Sequence, residues 1–86
     1  MDKLFISSEA NTLAPARAEL LKLGFSVTRV PSSQGISGMY RGERSQVVLQ
    51  GDDVLQLLAL ATLVERRGAN WQPTDAEVTA FVEFDS

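Results

Sequence analysis

Between Asp52 and Gly68 the chain carries Val54-Leu55-Gln56-Leu57-Leu58-Ala59-Leu60-Ala61-Thr62-Leu63-Val64, a run that is apolar on nearly every side of a helix. At about 100° per residue, Val54, Leu57, Leu58, Leu60, Ala61 and Val64 fall on one main face. Leu55, Ala59 and Leu63 form a second stripe, mixed with Gln56, Thr62 and Arg66. A helix apolar on more than one side is buried on more than one side, so the remaining chain must be arranged around it. Leaving Leu55 and Leu63 in water would forgo roughly 1.5–3 kcal/mol each, a large share of a small domain's stability. Two occupants compete for that second stripe: a further helix downstream in the same chain, or another copy of the chain in an isologous helix pair. The run falls well short of the roughly 18–20 apolar residues that span a bilayer, so no membrane association is expected.

The elements flanking this helix are read from caps, stops and periodicity. Leu4-Phe5-Ile6-Ser7 is apolar and rich in β-formers, which predicts a short first strand. Asn11 or Thr12 then caps a helix stopped by Gly24, with Leu13, Ala16, Leu20 and Leu23 on its apolar side. Phe25 to Val30 reads as a strand closed by Pro31, and the short return implies a right-handed crossover between parallel strands. Met39-Tyr40-Arg41 and Gln46-Val47-Val48-Leu49 read as an antiparallel hairpin flanking Gly42-Glu43-Arg44. Gly51-Asp52 ends the sheet and caps the central helix, with Asp53 in its first turn and Arg66, Arg67 and Gly68 at its end. Thr74-Asp75-Ala76-Glu77 has the form of a capping box and predicts a third helix, against a rival strand reading from the alternation of Val78, Ala80, Val82 and Phe84. The expected fold is a two-layer α/β (α+β) domain over residues 1–86. It has a small mixed sheet of about four strands, helices on one face and the order βαβββαα.

The side-chain inventory removes most catalytic chemistry. The 86 residues contain no histidine and no cysteine, which excludes Ser–His pairs, imidazole and thiolate metal sites, and disulfides. Asp52-Asp53 is the only adjacent acidic pair, and helix capping accounts for it. No catalytic residue, metal or cofactor is therefore expected, and the chain is not expected to be an enzyme. The absence of staples, with an N-terminus unlike a signal peptide, points to a reducing, cytoplasmic location. The net charge of −3 argues against nucleic acid. That charge is unevenly spread, positive from Arg17 to Gly51 and negative from Asp52 onward, which suits docking or self-association.

Candidate binding residues come in two groups. Arg29, Arg41 and Arg44, carried by adjoining strands and a hairpin tip, lie in sequence around the polar loop Ser32–Gly38; converging, they would clamp a carboxylate or phosphate, whereas paired with acids such as Glu43 they would only be solvated. Tyr40 and Trp71 are the only tyrosine and tryptophan, types that form binding hot spots. Trp71 alternatively closes the core where the second helix meets the third. Leu55, Ala59 and Leu63 are the candidate interface. The expected function is a non-catalytic protein-interaction or regulatory module, partnered by another protein or by itself as a homodimer. The alternative is an anion-sensing domain using Arg29, Arg41, Arg44 and the Ser32–Gly38 loop.

Overall fold

The chain order is α1 (Leu13–Lys22), β1 (Ser26–Arg29), β2 (Tyr40–Arg44), β3 (Val47–Gly51), α2 (Val54–Arg67), a 3-10 turn (Gly68–Asn70) and α3 (Asp75–Phe84). The computed structural model describes residues 3–9, 11–30 and 39–86. The fold is mixed α/β, with three helices and one antiparallel sheet in the order β1-β2-β3.

The central helix is bounded much as its sequence dictates. Asp53, rather than Asp52, is its N-cap: an Asp53 side-chain oxygen accepts from the Gln56 backbone N–H at 2.8 Å. The Gln56 side chain returns the bond, accepting from the Asp52 N–H at 2.9 Å. These contacts satisfy amides that the first helical turn leaves without partners. At the other end Gly68 adopts a positive φ of 61°, a conformation glycine enters without a Cβ penalty. Gly24 stops α1 in the same way, with φ at 92°.

Strand alternation fixes which face is covered. Val27, Gly42 and Leu49 are aligned across the three strands, and Gly42 and Leu49 are buried beneath the helices. The opposite face, including Thr28, Arg41, Glu43, Val48 and Gln50, is exposed. Helices α1 and α2 thus cover one face only. The core between the layers consists of Ala16 and Leu20 from α1, Phe25, Leu49, and Val54, Leu57 and Ala61 from α2. Leu20 and Leu57 are completely enclosed.

Three sequence expectations need correction. Leu4–Ser7 is not a strand: among the described residues it pairs with nothing, and Leu4, Phe5 and Ile6 are 68–87% exposed. Without that strand there is no parallel crossover. β1 pairs antiparallel with β2, so the sheet is three-stranded and purely antiparallel, not mixed and four-stranded. The hairpin turn is Ser45-Gln46, and Gly42-Glu43-Arg44 belongs to β2. Ser45 supplies the turn's positive φ of 50°. Gly42 is buried within the strand, where a Cβ would touch the Phe25 ring and Leu49 at ordinary contact distances of 3.7–3.8 Å.

The last element resolves in favour of the helix. Thr74 accepts from the Glu77 N–H at 3.1 Å while Glu77 accepts from the Thr74 N–H at 2.8 Å, a complete capping box. Leu57→Ala empties one of the two fully enclosed leucine sites and is expected to cost about 2–5 kcal/mol. Urea unfolding followed by circular dichroism will show this as a lowered midpoint; an unchanged midpoint would contradict the placement of the core.

Candidate functional site

The predicted arginines are separated by the sheet's alternation and by the length of its strands. Arg41 points to the exposed face and pairs with Glu43 at 3.4 Å. Arg44 belongs to the helix-facing side, where its guanidinium donates to the Leu23 carbonyl at 2.8 Å, meets Glu65 at 2.5 Å and lies 4.4 Å from the Phe25 ring centre. It is a structural clasp joining the end of α1, the hairpin and α2. Arg29 stands at the far end of the strands, its guanidinium 5.9 Å from the ring centre of Tyr40, its partner in register. Four residues of strand, roughly 13 Å, separate that end from Arg44. The structure therefore brings Arg29 and Tyr40 together and leaves Arg41 and Arg44 elsewhere. The Ser32–Gly38 loop lies outside the described residues. Among the described residues no group of three acidic side chains is placed to hold a metal ion, and no helix is long and apolar enough to cross a membrane.

The second apolar stripe of α2 divides. Leu55 is half-buried and packs against the core, Ala59 is exposed, and Leu63 remains 39% exposed. Helix α3 does not close over it. Val78, Phe81 and Val82 share a shallow groove with Leu63 and Trp71 but stay 49–61% exposed, and Phe84 is 80% exposed. Trp71 likewise fails to seal the core and is 51% exposed. The 3-10 turn after Gly68 carries the chain away from α2 before the indole is reached, so Trp71 forms a wall and not a plug.

That wall bounds a larger apolar groove of about 590 Å³, floored by β3 and walled by Leu60, Leu63 and Val64 of α2 together with Trp71. Five successive residues, Gln46 to Gln50, line it. Successive strand residues point to opposite faces. A groove touching all of them must run along the strand's edge, where backbone groups are accessible. Among the described residues nothing pairs with that outer edge of β3. Sequence reasoning identified Leu63 and Trp71 but missed the β3 edge. The signal was present: Gln46-Val47-Val48-Leu49-Gln50-Gly51 contains no charge and no proline, the devices that normally guard an edge.

Helix α3 is held beside this surface by one ion pair. Arg67 donates to both carboxylate oxygens of Glu77 and also reaches the Trp71 carbonyl at 3.5 Å. The Arg67 hydrogen bonds hold the Glu77 carboxyl far below its usual value, down to about 2, with the Thr74 N–H acting in the same direction. Glu77 in turn raises Arg67. Both side chains are about two-fifths exposed, so solvent screens the pair, and its main effect is to position α3.

Two outcomes are expected. Arg44→Ala removes a charge-assisted hydrogen bond to a partly buried carbonyl and should destabilise the domain by about 1–3 kcal/mol in urea titration, whereas an anion-binding arginine would be replaceable without loss. Because the folded-state value of Glu77 is depressed, the α3 anchor is intact above its ordinary titration near pH 4.5 and is lost as pH falls toward 2. Trp71 emission should report that transition between pH 5 and 2, and Glu77→Gln should abolish the step; an acid transition identical in both proteins would contradict the assignment. No family model, curated protein or solved structure matches this chain.

Proposed function

We infer that this protein acts by contact: it is a non-catalytic interaction module whose docking surface is the groove between the β3 edge, the outer side of α2 and Trp71. The carrying observation is the coincidence of an unpaired, uncharged strand edge with a continuous apolar wall. An added polypeptide strand gains main-chain hydrogen bonds from such an edge and specificity from the pockets beside it. Trp71 and Leu63, half exposed and adjacent, supply the aromatic and aliphatic anchors that dominate interface energetics.

The poverty of acid–base groups gives no support to a catalytic alternative.

The test uses two leucines of similar exposure, Leu63 at 39% in the groove and Leu21 at 43% on α1. Tagged full-length protein, expressed in its native cell, should retrieve polypeptide partners, untagged copies of itself included. Leu63→Lys should abolish that retrieval and Leu21→Lys should leave it intact. Equal retention by both variants would refute the groove as the docking surface.

A further inference from the structure

We propose that the occupant of the groove is a second copy of this chain, joined by antiparallel pairing of β3 with its own counterpart into one continuous six-stranded sheet. This rests on reading the groove as a polypeptide-docking site and names its partner.

The hydrogen-bonding phase of β3 sets the register. The two-residue turn Ser45-Gln46 closes on the pair Arg44 and Val47, and such a turn closes on a hydrogen-bonded pair. Hydrogen-bonded and non-hydrogen-bonded pairs then alternate. Val47, Leu49 and Gly51 therefore direct their backbone groups toward β2, and Val48 and Gln50 direct theirs outward, to the unpaired edge. Full overlap of Val47–Gly51 with a second copy places the two-fold axis at Leu49. In that register Val48 of each copy faces Gln50 of the other, and each pair exchanges two backbone hydrogen bonds. The four outward N–H and C=O groups on each strand are all satisfied, and Leu49 lies opposite itself as the non-hydrogen-bonded pair between them.

The side chains agree with this arrangement. Pairing an uncharged strand with itself sets no like charges opposite one another, which is the usual obstacle to isologous edge contacts. The other edge strand differs. β1 is Ser26-Val27-Thr28-Arg29, closed by a charge and followed in sequence by Pro31, which are the features that discourage edge pairing. Helix α2 lies beside β3 on the covered face of the sheet, so the two-fold sets the groove walls of the two copies, Leu60, Leu63 and Trp71, against each other across the seam. On the opposite face Val48, 50% exposed in the single chain, gains the partner's Gln50 as a neighbour.

Sedimentation of the full-length protein across about 1–100 µM should give a species of twice 9.4 kDa, since a pairing weaker than this range would leave the groove empty under ordinary conditions. Val48→Lys places a charge beside the seam at a position exposed in the single chain, and it should weaken the dimer at least tenfold while leaving the circular dichroism spectrum unchanged. Phe5→Lys should leave the dimer intact. The proposal is overturned by a monomer at the highest concentration, by a dimer indifferent to Val48→Lys, or by a dimer abolished by Phe5→Lys. The last result would identify exchange of the Leu4–Ser7 segments instead. A monomer that still retrieves foreign protein through Leu63 would sink the self-pairing alone and leave the docking groove standing.

Discussion

The side of α2 carrying Val54, Leu57 and Ala61 is buried against Leu20, Phe25 and Leu49, and every other feature of the molecule depends on that burial. A three-stranded antiparallel sheet with one open face has little apolar surface of its own to offer. It persists because a helix with consecutive apolar turns lies across it, and because α1 fills the remaining side. Full burial of a leucine contributes about 1.5–3 kcal/mol, so Leu20 and Leu57 together outweigh any surface ion pair in the structure. With seven buried residues at the centre of the core among the described residues, the domain has small reserves, and its polar clasps matter more than they would in a larger protein. Arg44 is the main one: a single guanidinium satisfies the carbonyl that ends α1, covers the face of Phe25 and reaches across to α2.

The sequence made the helices legible because each carries its own boundary chemistry. Gly24 and Gly68 supply positive φ values, Asp53 caps α2 one position after the expected Asp52, and Thr74 with Glu77 forms a box that decides between helix and strand. The strands were harder. β1 and the hairpin were visible in outline, but Gly42 resembles a turn residue and in fact lies within β2, paired with Val27 and Leu49. Leu4-Phe5-Ile6 has the composition of a strand, yet a strand exists only as part of a ladder, and local composition does not say whether a neighbour is present. The parallel crossover, the mixed sheet and the fourth strand all rested on that one segment.

The site was legible in its anchors and hidden in its geometry. Leu63 and Trp71 were identifiable as surplus apolar side chains. That they meet along a strand edge depends on pairings between β2 and β3 and on the departure of the chain at Gly68, none of which is local. The arginines were misleading for a related reason. Close spacing in sequence suggests convergence, but Arg41 and Arg44 differ by an odd number of strand positions and so occupy opposite faces. Parity of position determined their fate more than proximity did.

Ala16 on α1 and Ala61 on α2 are both buried in the core between the helices and the sheet. Side chains this small let neighbouring helix axes approach toward the short end of the roughly 8–10 Å range. Growth at either position would overpack that core and push the helix carrying it outward. Arg44 grips the carbonyl of Leu23 at the end of α1, so an outward shift of α1 would pull on the hairpin that carries this arginine.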